Sequence, residues 1–335
     1  MELLQIKCPT CHSAALQSHT TYTTQYHGRR IIYKCTDCPT YFSETKKTLM
    51  AGLKTPVSVI WHVVKAGTEG MGLNAAARTF EKAKNTILAW ERKFLALHQV
   101  LFLYALVHEF LELVIEGDEA YTKVQKNVPP DQSPGWTILR LDRASRFIWE
   151  IDCGKKERKL FHKAIKSLDK IARQTHDLSL FTDGERRYGT LLFEICHELV
   201  KNGKPGRPKK TFKKGVHVRL KNKGSQAHKK GRKRPKYQSP WREQPATART
   251  IAETDIHANH AEAFLSALRR KCATFRRKTN MYAKSTKGLQ RLLRVYWVVH
   301  NFLRVHFTTR EVPAVALGIL ERRLSVQEIF QIQMA

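Results

Sequence analysis

Acidic residues are scarce in this sequence, and their scarcity is localised. The chain has 335 residues, with 29 Asp and Glu against 60 Lys and Arg, and a net charge of +31. Two long stretches contain no acid at all: residues 199–242 hold 17 Lys or Arg, and residues 263–310 hold 12. An even surplus of positive charge serves solubility alone, whereas two acid-free stretches indicate a polyanionic partner. Nucleic acid held through its phosphates is the partner that we expect.

The sequence also lacks a continuous apolar run of the roughly 20 residues that a membrane-spanning helix needs. The most apolar stretch, residues 94–115, is interrupted by His98, Gln99, His108, Glu109 and Glu112. Residues 1–7 lack the basic-then-apolar pattern of a secretory signal peptide, so none is expected. With 42% hydrophobic and 27% charged residues, the chain has enough apolar surface for a folded core, which excludes disorder throughout.

Cysteine is sparse but grouped. Four of the seven cysteines form two Cys-x-x-Cys pairs, Cys8 with Cys11 and Cys35 with Cys38. The odd total and the grouping favour a metal site in a reducing compartment over a disulfide framework. Each pair offers two thiolates from a tight turn, and four thiolates form the closed tetrahedral set of a structural zinc site.

Strands are predicted between the two cysteine pairs, over residues 20–26 and 30–34. Residues 1–50 are therefore predicted to form a zinc ribbon, a domain so small that it needs Zn2+ to fold. Two unrelated cysteine pairs or a redox motif are the alternatives.

A helix-turn-helix is predicted over residues 51–98. Pro56 opens a helix with apolar residues at helical spacing, and a short helix follows over residues 74–80. Residues 81–84 link it to a further helix, for which Asn85 is the predicted N-cap. In this arrangement the last helix enters the DNA major groove. Its candidate DNA contacts are Asn85, Thr86, Arg92 and Lys93. A plain helical hairpin between domains is the alternative.

The middle of the chain alternates between apolar strands and an amphipathic helix. Strands are predicted over residues 110–115, 135–141 and 147–151, a helix over 155–173, and a further strand over 178–181. This is the element order of an α/β RNase H-like core with a mixed sheet and flanking helices. Residues 216–220 alternate in hydropathy and are predicted to form the last strand of that sheet.

Three acidic residues stand at the ends or beginnings of these elements. Asp118 and Asp183 each follow a predicted strand, and Glu262 lies in the first turn of a helix that begins near Asn259. In open α/β sheets, active groups gather at strand ends. Three carboxylates from separate elements suit two divalent ions, Mg2+ or Mn2+, which promote phosphodiester chemistry. Ordinary surface acids remain the alternative.

The motifs as a series resemble the DDE transposases of the insertion-sequence-one family of bacterial insertion elements. The matching pieces are Cys8 to Cys38, Gly72 to Arg78, Asn85 to Ile87, Gly117 to Tyr121, Leu141 to Arg143, Phe181 to Gly184 with Tyr188, His257 to Glu262, Arg277 to Thr279, and Ala283 to Ser285. Each piece is short, and their order and spacing carry the resemblance.

The resemblance implies that Asp118, Asp183 and Glu262 are the catalytic triad and hold the two divalent ions. It implies that Arg269, seven residues after Glu262 on the same helix face, contacts DNA. A transposase brings two DNA ends together, so we expect a homo-oligomer in that complex, in the bacterial cytoplasm at the nucleoid. Two features depart from the family pattern: Ala-Glu-Ala-Phe stands where the family often has Ile-Glu-Arg and Asn, and residues 199–250 form an insertion.

Further DNA contacts are predicted in the two acid-free stretches. The insertion carries Gly-Arg-Pro-Lys-Lys at residues 206–210, so Arg207, Lys209 and Lys210 are candidates for a minor-groove or a general phosphate contact. In the helical region after Glu262, apolar residues at helical spacing are expected to face a core. Arg277, Lys278 and Lys284 are expected to project outward toward DNA.

The sequence therefore predicts a zinc ribbon over residues 1–50, a helix-turn-helix over 51–98, a catalytic domain over 99–310 with a basic insertion at 199–250, and a helical tail over 311–335. The predicted function is DNA transposition: binding of the element's terminal inverted repeats, metal-dependent cleavage at the 3′ ends and strand transfer into target DNA. Two alternatives stay open, a non-catalytic DNA-binding regulator derived from a transposase and a metal-dependent DNA nuclease.

Overall fold

The computed structural model describes residues 3–126, 128–182, 186–201, 203, 205–213, 216–220, 241–243, 252–276 and 281–334. The chain divides into two compact units, one of Met1–Ala105 with Arg291–Ala335 and one of Leu106–Gln290. The three helices that follow the cysteine region share a unit with that region and with the C-terminal segment. The units therefore cross the ranges that were predicted from the sequence.

The first unit begins with a small antiparallel sheet that contains the cysteine pairs. Its strands, in spatial order, are β1 (Leu16–Thr24), β2 (Gly28–Cys35) and β3 (Tyr41–Ser43). The turn between β1 and β2 needs glycine, because Gly28 has a φ of 66° in the left-handed region. The two strands predicted between the cysteine pairs are confirmed, with shifted bounds.

Three helices follow: α1 (Val57–Thr68), α2 (Leu73–Thr79) and α3 (Lys84–Ala105). The side chains of Ile87, Trp90, Phe94 and Leu97 on α3 are buried, as the spacing of an amphipathic helix predicts. The prediction that Asn85 caps α3 is wrong. The helix begins one residue earlier, and the Ala83 carbonyl accepts the backbone N–H groups of Thr86 and Ile87.

The C-terminal helices are α7 (Thr286–Phe302), α8 (Pro313–Ala316) and α9 (Val326–Gln331). Ser285 caps α7, since its Oγ accepts the N–H of Gly288 at 3.0 Å. Within the first unit, Phe330 of α9 packs edge-on against Phe94 of α3, with ring centroids 5.7 Å apart. The buried positions of Tyr296, Trp297 and Phe302 confirm that the aromatic residues of α7 belong to a core.

The second unit is built on a mixed six-stranded sheet in the order β11-β10-β7-β4-β5-β6. Its strands are β4 (Phe110–Tyr121), β5 (Trp136–Asp142), β6 (Ile148–Gly154), β7 (Thr175–Thr182), β10 (Val216–Leu220) and β11 (Trp241–Glu243). The strands β4, β5 and β6 pair antiparallel, whereas β7 runs parallel to both β4 and β10. The predicted strand at 216–220 is confirmed as β10 and lies beside β7.

Helices flank this sheet. They are α4 (Arg158–Ala172), α5 (Arg186–Cys196) and α6 (Asn259–Lys271), with single 3-10 turns at Glu253–Asp255 and Ala273–Phe275. A separate antiparallel pair, β8 (His197–Val200) and β9 (Lys209–Phe212), follows α5. The helix α4 is amphipathic, with Phe161, Ile165 and Leu168 buried at helical spacing. It connects β6 to β7 and packs on the sheet, while α6 contacts β4 and β5, and most residues of β5 and β6 are buried on both faces.

The strand β4 is longer than the sequence indicates. Its parallel pairing with β7 ends at Gly117 opposite Thr182, but its antiparallel pairing with β5 continues to Tyr121. Asp118 therefore lies inside a strand, one residue past the end of the parallel pairing, and not at the end of the strand as predicted. Among the described residues, no helix has the length and apolar character that crossing a membrane requires.

Candidate functional site

The four cysteines of the two Cys-x-x-Cys pairs come together in the first unit. Their Sγ atoms all lie within 4.8 Å of one another. The Cys8 and Cys38 sulfurs are 3.5 Å apart, and those of Cys11 and Cys35 are 3.6 Å apart. The predicted grouping is therefore confirmed.

Backbone hydrogen bonds hold the two cysteine turns. The N–H of Cys8 donates to the Ser13 carbonyl at 2.8 Å, and the N–H of Cys35 donates to the Thr40 carbonyl at 3.0 Å. The apolar cluster that the structure describes around them is small. Its buried members are Cys8, Cys35 and Phe42. Such a cluster stabilises little on its own, so a metal is the natural source of the missing stability.

The spacing of the sulfurs fits zinc. A tetrahedral ion with Zn–S bonds of about 2.3 Å places its sulfur ligands about 3.8 Å apart, close to the separations found here. Four thiolates at this spacing repel one another unless a cation offsets their charge. The geometry is therefore compatible with a zinc ribbon whose ion would be structural, since four cysteines leave no open position.

In the second unit, acidic side chains line one face of β4. Glu116 and Asp118 are two residues apart in the strand, so they point to the same face of the sheet. Asp118 is half-buried, and its Oδ1 accepts the backbone N–H of Glu119 at 2.7 Å. Asp183, the residue after the end of β7, lies outside the described residues.

The helix α6 begins on the same face of the sheet. The Glu116 carboxylate, which is fully buried, accepts the backbone N–H groups of His260 at 2.8 Å and of Ala261 at 3.0 Å. Glu262 follows directly in the first turn of α6 and is exposed. The first turn of α6 is thereby joined to β4, the strand that carries Asp118.

Two further donors reach the Glu116 carboxylate. The Arg143 Nε lies 2.7 Å and the His260 Nδ1 2.8 Å from its Oε1. Burial by itself raises the pKa of Glu116, but the hydrogen bonds from His260 and Ala261 and the charge of Arg143 lower it below its usual range. This cluster is not predictable from a local motif, since Glu116 and His260 are 144 positions apart in the chain.

The opposite face of β4 carries a second polar group. Glu119 points there, and its Oε2 lies 3.8 Å from the Lys156 Nζ. Lys156 in turn lies 4.1 Å from the centroid of the Trp136 ring. Tyr188 of α5 is fully buried, and this burial raises the pKa of its phenol well above its ordinary value. Tyr188 is thus a packed residue behind the sheet.

The predicted DNA contacts on α3 occupy different environments. Asn85 and Arg92 are exposed, and Thr86 is half-buried. The Lys93 ammonium instead donates to the carbonyls of Leu49, at 3.0 Å, and of Ala51. Burial lowers the pKa of Lys93. This lysine therefore stabilises the segment that precedes α1.

The predicted contacts in the basic regions are exposed where they are described. Arg207 precedes β9, and Lys209 and Lys210 lie in β9, opposite Val200 and Leu199 of β8. Lys284 is exposed, and its Nζ is 4.5 Å from the centroid of the Tyr282 ring. Arg277 and Lys278 lie outside the described residues, as does most of the insertion.

Arg269 lines an open groove on α6. Its neighbours there are Ser266, Arg270 and Arg276, and Arg270 donates to the Ser266 Oγ at 3.0 Å. Ser266, Arg269 and Arg270 follow Glu262 by four, seven and eight residues, which places them on one helix face with it. A row of cations therefore continues along α6 from the acidic end.

In comparisons with known proteins, no family model and no curated protein matches this chain.

Proposed function

We propose that this protein is a DDE-type DNA transposase, which cleaves the 3′ ends of an insertion element and joins them to target DNA. One observation carries the proposal. The parallel pairing of β4 with β7 ends at Gly117 and Thr182, and an aspartate follows each of these two residues in the sequence. The first turn of α6, with Glu262, is tied to the same strand and face as Asp118.

The order of the sheet supports an RNase H-like core. Three antiparallel strands, β4 to β6, are followed by a helix and by β7, which returns to lie parallel to β4. The strand β10 then adds in parallel on the far side of β7. The chain adds β5 and β6 on one side of β4 and then returns to add β7 and β10 on the other side, and β7 ends beside Gly117 of β4. Active groups gather at such a place in open α/β sheets.

The carboxylates suit hard divalent ions. Asp118, Asp183 and Glu262 would be the ligands of two Mg2+ or Mn2+ ions, which prefer oxygen donors. Such ions lower the pKa of an attacking water or 3′-hydroxyl and offset charge on the leaving oxygen. The protein's own residues would bring the three acids together and hold the DNA backbone beside them. Arg269 and its neighbours on α6 are suited to that second task, because guanidinium groups bind phosphates in a bidentate way.

The first unit supports recognition of double-stranded DNA. It combines the four-cysteine sheet with α1, α2 and α3, and Asn85 and Arg92 are exposed on α3. We propose that α2 and α3 act as a helix-turn-helix and that this unit binds the terminal repeats as part of a homo-oligomer. The net charge of +31 favours DNA as a partner.

The test is a product analysis. The full chain is incubated with Mn2+, a labelled duplex that carries the sequences flanking its coding gene, and a supercoiled target plasmid. We expect cleavage at the 3′ end followed by covalent joining to the plasmid, and neither product from Asp118→Asn. Asp131→Asn is the matched control, because Asp131 is an exposed acid in the loop between β4 and β5.

Each other outcome supports a different function. Cleavage without joining would indicate a nuclease and overturn the transposase proposal. Specific binding without cleavage by the wild type would indicate a DNA-binding regulator. Full activity of Asp118→Asn would remove Asp118 from the site.

A further inference from the structure

The Glu116 carboxylate accepts four hydrogen bonds beside the proposed site. Its Oε2 accepts the N–H groups of His260 and Ala261, and its Oε1 accepts from Arg143 and His260. The His257 Nδ1 lies 3.6 Å from the same oxygen. These donors come from a loop after β5 and from the start of α6, so this one buried side chain joins three elements.

Glu116 serves as the missing cap of α6. The N-cap residue, Ala258, has no side chain that can accept a hydrogen bond, and the N–H groups of the first turn of a helix have no partner within the helix. Glu116 supplies both an acceptor and a negative charge at the positive end of the helix, from a different strand of the sheet. The first turn of α6 therefore sits where β4 holds it.

Arg143 fixes the loop that leads into α6. Its Nη1 donates to the Asp255 carbonyl at 2.8 Å and its Nη2 to the His257 carbonyl at 2.8 Å. Its guanidinium also lies 4.8 Å from the centroid of the Phe181 ring on β7. Together, Glu116 and Arg143 hold the segment on both sides of the α6 N-terminus against β4 and β7.

Glu116, His257 and His260 have the residue types and spacing of a metal site, since their ligand atoms lie within 4.8 Å of one another. A positioning role fits the contacts better. Both carboxylate oxygens already accept from protein donors, and the Arg143 guanidinium brings a positive charge to 2.7 Å from Oε1. A divalent cation at that oxygen would face this charge.

We propose that Glu116 is a positioning residue: by fixing the first turn of α6, it holds the Glu262 carboxylate where it can share a divalent ion with Asp118. This inference rests on the proposed function, because it takes Asp118 and Glu262 as metal ligands. The distance along the helix is short, since Glu262 directly follows Ala261, whose N–H Glu116 accepts. Replacing Glu116 therefore weakens metal binding only by displacing the Glu262 carboxylate.

A double-mutant cycle on Mn2+ affinity tests the proposal without any measurement of activity. Mn2+ binding to the full chain is followed by electron paramagnetic resonance for the wild type, Glu116→Gln, Glu262→Gln and the double variant. Glu112→Gln is the control, because Glu112 is exposed and lies on the same strand and face as Glu116. Removing the partners that orient a metal ligand typically weakens metal binding by about 10- to 100-fold, and we expect that loss for Glu116→Gln.

The cycle separates positioning from a general loss of stability. If Glu116 acts through Glu262, adding Glu116→Gln to Glu262→Gln weakens binding by less than about twofold, because coupled sites are not additive. The hydrogen-exchange rates of the Asn259–Lys271 backbone amides should also rise in Glu116→Gln and stay unchanged in Glu112→Gln. Wild-type Mn2+ affinity in Glu116→Gln, or full additivity in the double variant, would overturn the proposal.

Two further variants allow the result to be interpreted if Glu116→Gln does not fold or does not change Mn2+ binding. If circular dichroism shows that Glu116→Gln does not fold, Arg143→Lys takes its place in the cycle, since lysine keeps the charge but loses the forked hydrogen bonds. Asp118→Asn distinguishes a failure of the positioning proposal from a failure of the proposed function. Weakened Mn2+ binding in Asp118→Asn together with wild-type binding in Glu116→Gln would overturn positioning alone. An absence of Mn2+ binding in the wild type would overturn the proposed function and this inference with it.

Discussion

Gly117 of β4 lies opposite Thr182 of β7 where the parallel pairing of these two strands ends. The approach is close, since a Cβ at Gly117 would lie 3.2 Å from the Thr182 Cγ2. The residues that follow in sequence are Asp118 and Asp183, the second of which lies outside the described residues. This register is the structural basis for expecting the two aspartates to act on one substrate.

Zinc content is expected to depend on the four-cysteine cluster. Cys35→Ser removes a buried thiol from the four-cysteine cluster, around which the structure describes only a small apolar cluster, so the purified protein should lose zinc and the β1–β3 sheet should unfold. Metal analysis after dialysis checks this. Cys153→Ser is the control, because Cys153 lies in the second unit, outside the cluster, and should leave the zinc content unchanged. Equal zinc in both variants would contradict the zinc-ribbon interpretation.

Arg92 and Lys93 are neighbours on α3 that should behave differently. Arg92→Ala removes an exposed cation, so we expect weaker DNA affinity and a salt dependence reduced by about one charge in the slope. Lys93→Met should instead lower stability by about 1–3 kcal/mol, because it leaves the Leu49 and Ala51 carbonyls without their donor. Titrations at several salt concentrations and urea unfolding distinguish the two. An unchanged salt slope in Arg92→Ala would argue against α3 as a DNA-contacting helix.

Gly135 is expected to be intolerant of any side chain. A Cβ at this position would overlap the Thr122 backbone carbonyl, which cannot move without disturbing the segment that follows β4. Gly135→Ala should therefore cost about 1–3 kcal/mol in the free energy of unfolding. Gly154→Ala is the control at the end of β6, since its nearest contact, the Leu160 Cδ1, is an ordinary 3.5 Å away. Equal stability of the two variants would contradict the close approach of Gly135 to the Thr122 carbonyl.

The C-terminal helix α9 should show a pH-dependent contribution to stability. Hydrogen bonds from Arg322 and from the Ser325 cap lower the pKa of Glu328 to about 2. A carboxyl whose folded-state pKa is depressed stabilises the protein above its ordinary pKa and loses that effect as the pH falls through the folded value. Glu328→Gln should therefore cost at most about 1 kcal/mol near neutral pH, since the pair is partly exposed, and progressively less as the pH falls from about 4.5 to below about 2.

Urea unfolding of the wild type, Glu328→Gln and Glu311→Gln at a series of pH values checks this expectation. Glu311 is exposed and serves as the matched acid. A difference between wild type and Glu328→Gln that did not shrink between about pH 4.5 and about pH 2 would contradict the assignment of this shift to Glu328.

The cysteine grouping and the elements α1 to α4, β4 to β7 and β10 could be predicted from the sequence, because they depend on local signals. The elements α5, β8, β9 and β11 were not predicted. Alternating or continuous apolar runs locate β5, β6 and β10, and the spacing of Cys-x-x-Cys pairs locates the cluster. Element bounds were less certain. The strand β4 passes through Asp118, since its antiparallel partner β5 continues after its parallel partner β7 has ended.

The contacts that join distant segments could not be read from the sequence. Glu116 was not assigned a role and Lys93 was predicted to contact DNA, yet both side chains bind backbone groups that only folding brings near them. Lys93 donates to carbonyls 44 and 42 residues earlier in the chain. No spacing rule connects such positions, whereas the helical and strand periodicities operate over a few residues.

The most direct test of the central claim is a change of metal preference in Asp118→Cys. A thiolate is a poorer ligand for hard Mg2+ than for the softer Mn2+. DNA cleavage by the wild type, Asp118→Cys and Asp131→Cys is measured with each ion on the duplex that flanks the coding gene. We expect Asp118→Cys to be inactive with Mg2+ and to regain cleavage with Mn2+, while Asp131→Cys cleaves with both. Wild-type cleavage by Asp118→Cys with Mg2+ would contradict the claim that Asp118 holds a catalytic ion.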